Sequence, residues 1–155
     1  MHSEVTDPQV VELIGRNRLG SELLRDGLEV AVPARDRGID LIAYLDRSPD
    51  GTDFIARPVQ MKAASKRSFS LFQKYEKTRG LIIVYIWFVH NAERTEIYAL
   101  TYEEAFKIAA KMGWTKTASW KKGGYSTTQP GERLCELLKP YRMHPGDWKG
   151  KIIQK

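Results

Sequence analysis

Apolar residues recur at helical spacing near the start of the chain and at strand spacing through its middle. Val10, Val11, Leu13, Ile14, Leu23 and Leu24 supply the apolar face of a first helix. Asp7 and Pro8 predict its N-cap and first helical residue, and Gly27 its stop. Gly15 and Gly20 weaken the interior and predict a kink or a break. Leu28 to Val32 and Ile39 to Leu45 read as strands. Ser48-Pro49-Asp50-Gly51 is a turn signal before a third strand, Phe54 to Lys62. Pro58 lies inside that strand and has no N–H to give to a ladder, which predicts a bulge or an unpaired amide just before Gln60.

A basic stretch, Lys62 to Lys77, follows, with a short helix expected around Leu71 to Tyr75. Leu81 to Val89 is a nearly continuous β-branched and aromatic run, the pattern of a central strand covered on both faces. Glu96 to Leu100 is a further strand. Thr101 and Glu104 form a capping-box pair at the head of a helix over Tyr102 to Met112. The polar, glycine-rich segment Thr115 to Thr127 leaves room for one edge strand. Thr128 and Pro130 open a last helix that Pro140 ends. The reading is a single α/β domain over residues 1–141, a central mixed sheet flanked by helices, with a loosely packed basic tail at 142–155.

Composition narrows the classes. The 155 residues fit one domain with a real core. A net charge of +6 favours an anionic partner, nucleic acid first among them. The single Cys135 forbids an intramolecular disulfide, and with three scattered histidines it makes no zinc pattern. The first residues lack the basic and apolar regions of a signal peptide, and Leu81 to Val89 is too short to cross a bilayer, so a cytoplasmic protein without membrane contact is expected.

Four polar residues stand out against this background: Glu22 on the first helix, Asp40 at the head of the second strand, and Gln60 and Lys62 on the third. Strand period two puts Gln60 and Lys62 on one side and Met61 on the other. Hydrolysis of a phosphodiester needs an activated water, neutralisation of a pentavalent transition state and a stabilised leaving oxygen. Mg²⁺ or Mn²⁺ held by the Asp40 carboxylate, the Gln60 amide oxygen, the Met61 carbonyl and Glu22 would serve these needs, with Lys62 orienting the water.

In order and spacing, Glu22, Gly38-Ile39-Asp40 and Gln60-Met61-Lys62 resemble the PD-(D/E)xK superfamily of restriction-endonuclease-like nucleases. Arg18-Leu19-Gly20-Ser21-Glu22-Leu23-Leu24-Arg25 is similar to the opening helix of archaeal Holliday-junction resolvases and Mrr-type members. The resemblance covers about the first half of the chain. Ile39 stands where the family name has proline, and Gln60 where it has an acid. It implies an αβββαβ core, a Mg²⁺- or Mn²⁺-dependent endonuclease acting on DNA, and a homodimer, for which the aromatic later half offers an interface. Arg18, Arg35, Arg37, Ser65, Lys66 and Arg67 are then placed along a phosphate backbone.

Each residue also has a plainer reading. Asp40 has a second reading as a turn acid after Arg35-Asp36-Arg37-Gly38, and Lys62 as an edge-blunting lysine, and the functional reading is preferred for both. Glu22 pairs with Arg18 or Arg25 along the helix. Trp114, Trp120 and Tyr125 fit base stacking, core packing or an oligomer contact. Two further functions stay open: an inactive nuclease fold that binds nucleic acid or regulates a partner, and a metal-independent interaction protein that meets an acidic partner with its basic face.

Overall fold

A computed structural model describes residues 7–46 and 54–154 of the chain. The Ser48-Pro49-Asp50-Gly51 turn lies outside the described residues. Helix α1 spans Pro8–Arg25, with the Asp7 carboxylate accepting from Gln9 N and Pro8 at the first turn. Strands β1 (Glu29–Ala31), β2 (Leu41–Asp46) and β3 (Phe54–Ala63) follow. Then come β4 (Phe69–Phe72), a 3₁₀ turn over Gln73–Lys77, β5 (Ile82–Trp87) and β6 (Glu96–Thr101). Helix α2 (Tyr102–Lys111) carries the expected reciprocal capping box between Thr101 and Glu104. The chain ends through α3 (Ala118–Lys121), β7 (Gly124–Thr127), α4 (Glu132–Leu138) and α5 (Trp148–Ile153).

The fold is α/β. A mixed five-stranded sheet has the order β1-β2-β3-β5-β6, in which only the β3–β5 pair is parallel. β4 and β7 form a separate antiparallel pair. Side-chain alternation divides the core. Val59 and Met61 of β3 with Ile82, Val84 and Ile86 of β5 face α1 and α5. Ile83, Tyr85 and Trp87 face α2, α4 and the β4–β7 pair. β5 is buried along its whole length, as its unbroken apolar run requires. Among the described residues no helix is long and apolar enough to cross a membrane.

Four expectations change. First, α1 is unbroken: Gly15 lies on its buried face, where a Cβ would come within 2.7 Å of Ala63 Cβ, so this glycine allows close approach to β3.

Second, no bulge accompanies Pro58, and the register runs evenly through Leu41↔Val59, Ile42↔Pro58 and Ala43↔Arg57. Val59 turns its carbonyl to the β2 side, where it accepts from Asp40 N. Alternation then turns the Pro58 nitrogen to the β5 side, where pairing starts only at Val59↔Ile82. There the Gly80 carbonyl accepts from Arg57 Nε at 2.7 Å, so the missing N–H leaves no acceptor stranded.

Third, the crossover from β3 to β5 runs through β4 and a 3₁₀ turn in place of a short helix. Phe69 and Leu71 alternate into the second core layer, which a strand satisfies and a single helical turn does not.

Fourth, residues 142–154 are part of the domain. Trp148 and Ile152 are fully buried against α1 and the sheet. The Asp26 carboxylate at the end of α1 accepts from Gly146 N and Trp148 N at 2.9–3.0 Å, and Met143 N donates to Ile97 O at 2.8 Å. Basic composition conceals this role because the short helix interleaves Lys149 and Lys151 with the inward Trp148, Ile152 and Ile153.

Candidate active site

β2 stops pairing with β3 at Leu41↔Val59, but β3 runs on to Ala63 with only β5 beside it. Among the described residues, one edge of this interior strand has no neighbouring strand from Gln60 onward. Asp40 fills that edge. Its N–H donates to Val59 O at 2.8 Å, and its Oδ2 accepts from Met61 N at 2.7 Å. A strand residue turns its N–H and C=O to the same side, so the Met61 carbonyl faces this edge as well. Asp40 is 7% exposed and Gln60 9%.

The loop before Asp40 is shaped by a local turn. Asp36 Oδ1 accepts from Gly38 N at 3.2 Å, and Gly38 has φ +85°, a conformation that glycine takes without strain. The turn brings the Asp36 carboxylate back towards Asp40. From α1 the Glu12 carboxylate joins them, and the three oxygens lie within 4.8 Å of one another. Arg16 NH2 is 2.9 Å from Glu12 Oε1 and 3.9 Å from Asp40 Oδ1. Asp40 is buried while Asp36 and Glu12 open to solvent, and like charges this close favour a cation among them.

Gln60 adds a second, independent signal. Its Oε1 is buried and has no hydrogen-bond partner among the described residues, while Nε2 reaches Met61 O at only 3.5 Å. A Cβ on Gly38 would stand 3.8 Å from this Oε1, so the amide points to the same loop that carries Asp36 and Asp40. A buried acceptor left without a donor costs about 1–3 kcal/mol, a cost that a bound cation would remove.

Lys62 emerges on the Gln60 side of β3, as the period of two requires, while the Met61 side chain packs beside Gly15 on the other. Its Nζ lies 5.3 Å from the Phe72 ring and 5.6 Å from the Tyr75 ring. Burial lowers the Lys62 pKa below the ordinary lysine value of 10.5, and the Asp40 charge opposes this without cancelling it. Burial also pushes the Tyr75 hydroxyl up to about 12, helped by Asp40 and opposed by Lys74.

The structure therefore brings together Asp40, Gln60, Met61 and Lys62 and leaves Glu22 out. Glu22 Oε2 accepts from Arg18 Nε at 2.8 Å and Oε1 from Trp148 Nε1 at 3.3 Å, so it ties α1 to α5. Ten residues of helix separate it from Glu12, about 15 Å along the axis. Arg18 also donates to Ala92 O at 3.0 Å and serves the same end of the molecule. Arg35 and Arg37 are exposed on the loop that carries Asp36. Ser65 is half-buried, Lys66 is exposed, and Arg67 stands 5.7 Å from the Phe88 ring, beyond the end of β3.

Glu12, Arg16 and Asp36 are the residues that sequence reasoning missed. Gly15 was their signal: a glycine on the apolar face of a helix marks the turn that approaches the sheet most closely, and Glu12 and Arg16 belong to that turn. Comparisons with known protein families, with curated proteins and with solved structures find no match to this chain.

Proposed function

We propose that this protein is a divalent-metal-dependent phosphodiesterase acting on DNA, a restriction-endonuclease-like member of the PD-(D/E)xK superfamily with glutamine in the second acidic position. The observation that carries the reading is the buried, unpartnered Gln60 Oε1 beside the Glu12–Asp36–Asp40 carboxylates, on the strand that also presents Lys62. The missing charge of Gln60 is supplied here by Glu12 and Asp36. Oxygen donors of this kind suit Mg²⁺ or Mn²⁺.

Asp40, Gln60 Oε1, the Met61 carbonyl and Glu12 or Asp36 would hold the ion. When bound, it supplies charge stabilisation and acidifies a water. Asp40 is fixed by its two bonds to β3, so its free oxygen keeps one position through the reaction. In hydrolysis the water oxygen bonds to phosphorus and gives up a proton, while the bond to the leaving oxygen breaks and that oxygen takes a proton. Lys62 is suited to the attacking side: as the ammonium it orients the water, whose proton passes to solvent, and it faces the charge that builds on phosphate oxygens, while the leaving oxygen takes its proton from solvent. Arg16, two turns into α1, supplies a fixed positive charge at the rim.

A second reading has its own support. Arg16 already meets Glu12 and approaches Asp40, an internal counter-ion consistent with an inactive fold that only binds nucleic acid. The homodimer belongs to the proposal too; in the aromatic later half Trp114 and Trp120 are core residues, while Phe106 is exposed. Val10, Leu13 and Leu24 of α1 and Val32 after β1 are also exposed, and Leu24 and Val32 line one surface hollow.

The test is cleavage of supercoiled and branched DNA with Mg²⁺, Mn²⁺ or EDTA by wild type, Lys62→Ala and Glu12→Ala. Metal-dependent cutting by wild type, lost in both variants, is the expected result. DNA retardation without cutting by any of the three would replace the nuclease with the binding fold.

A further inference from the structure

The 3₁₀ turn at Gln73–Lys77 and the α3–β7 junction form the two walls of a groove of about 640 Å³. Lys74 and Lys77 line one wall and Lys122 the other, with Phe72 at one end and Glu76 as the one acid. These lysines are distant in sequence and meet only through the β4–β7 pairing. Among the described residues neither Lys77 nor Lys122 is in an ion pair, and Lys74 Nζ lies over the Phe72 and Tyr75 rings. The walls are held to each other: Gln73 N donates to Gly123 O at 2.8 Å and Gln73 Nε2 to Trp120 O. A basic groove whose sides are fixed in advance binds an anion without first ordering itself.

Its position gives the anion an identity. Lys74 Nζ lies over the same two rings as Lys62 Nζ, at 5.7 and 5.9 Å. The groove therefore opens beside Lys62, on the face of β3 to which Gln60 points. A chain of phosphates leaving the Asp40–Lys62 site has unpaired ammonium groups along this route and a half-buried aromatic ring at its entrance. Charge along a track with an aromatic edge is the pattern of single-strand binding.

We infer that the groove between Lys74–Lys77 and Lys122 carries the phosphate backbone of one nucleic-acid strand that runs away from the Asp40–Lys62 site. The inference rests on the phosphodiesterase reading for its direction, but not for its test. Binding of a labelled oligothymidylate is measured by anisotropy in EDTA over a range of salt, for wild type and for Lys77→Ala/Lys122→Ala. Both side chains are exposed, so the fold is kept.

Loss of two phosphate contacts should weaken binding about tenfold at low salt and reduce the salt slope by about 1.4, at roughly 0.7 per charge for single strands. Lys77→Arg/Lys122→Arg should restore both. Lys139→Ala/Lys149→Ala, with the same change in net charge elsewhere, should leave the slope close to wild type. An unchanged slope in the groove variant, or an equal loss in the control pair, overturns the inference. Equal loss of polyglutamate binding also overturns it, because the groove would then be a surface for acidic protein.

Hydrolysis of bis(4-nitrophenyl) phosphate with Mn²⁺ separates the two readings. That small diester does not reach the groove, so the groove variant should hydrolyse it at the wild-type rate. A protein that never hydrolyses it, yet loses the oligonucleotide in the groove variant, keeps the groove and loses the phosphodiesterase.

Discussion

Met61 N donates to Asp40 Oδ2 at 2.7 Å, which sets the carboxylate level with the residue between Gln60 and Lys62. The bond replaces the one that β2 would have made had it continued. Asp40→Ala should therefore do two kinds of damage. It removes a negative charge from the candidate metal site, and it strands a buried N–H, at a cost of about 1–3 kcal/mol. Asp40→Asn keeps an acceptor for Met61 and should unfold in urea close to wild type. Both should lose Mn²⁺ binding in titration calorimetry. Equal destabilisation of the two variants would count against a structural part for this bond.

Glu12 and Glu22 share a helix and should behave as opposites. Glu12→Gln should weaken Mn²⁺ binding at least tenfold and change stability little, since its partner Arg16 is part-exposed. Glu22→Gln should leave metal binding alone. It weakens the charged contacts to Arg18 and to Trp148 Nε1, so a loss of about 1 kcal/mol in urea unfolding is expected.

Alkaline pH should expose the buried hydroxyls. Burial raises Tyr98 to about 12, with its bond to Glu96 adding to the effect, and Tyr75 is also pushed to about 12. In the unfolded chain both lose a proton near pH 10. Between pH 10 and 12 the folded state therefore binds more protons, and stability falls as pH rises. Lys62 acts the other way. Its pKa is lowered on folding, so the unfolded chain binds more protons between that value and 10.5, and stability rises with pH there. Lys62 and Arg57, both lowered by burial, oppose five raised tyrosines, so net loss is expected above pH 10. Tyr98→Phe should flatten the decline measured by urea midpoints from pH 9 to about 12. Lys62→Met removes a half-buried charge and should raise stability at neutral pH while abolishing cleavage.

Two glycines of α1 give a packing test. Gly20 has nothing within 4 Å of an added Cβ, so Gly20→Ala should stabilise by about 0.5–1 kcal/mol through helix propensity. Gly15→Ala gains the same propensity but puts a methyl 2.7 Å from Ala63 Cβ. The helix must move off β3 and carry Glu12 with it. Gly15→Ala should be destabilised overall, typically by 1–3 kcal/mol, and should bind Mn²⁺ more weakly. Thermal melts of the pair with opposite signs are the expected outcome.

The strands and helices were legible wherever the pattern was long and two-faced. α1 with its Asp7-Pro8 start, the buried run of β5 and the Thr101–Glu104 box all stand where the residues put them. Period two correctly placed Gln60 and Lys62 together, because that relation is local to one strand. Glu22 failed for the opposite reason. Which turn of a helix meets a sheet is decided by packing between distant segments, here Gly15 on Ala63, and a helix offers several acids at equal local merit. Residues 142–154 failed similarly: Trp148 and Ile152 reach the core through contacts with distant segments, among them the bond of Asp26 to Trp148 N. β4 was concealed by its length of four residues, too short for a period to show.

The unpartnered stretch of β3 from Gln60 to Ala63 also bears on how the protein behaves in a crowd. A strand with a bare row of N–H and C=O groups invites another chain to pair with it. Here any newcomer would have to displace the Asp40 carboxylate from its hydrogen bond to Met61 N. That carboxylate thus also guards the edge against pairing with another chain.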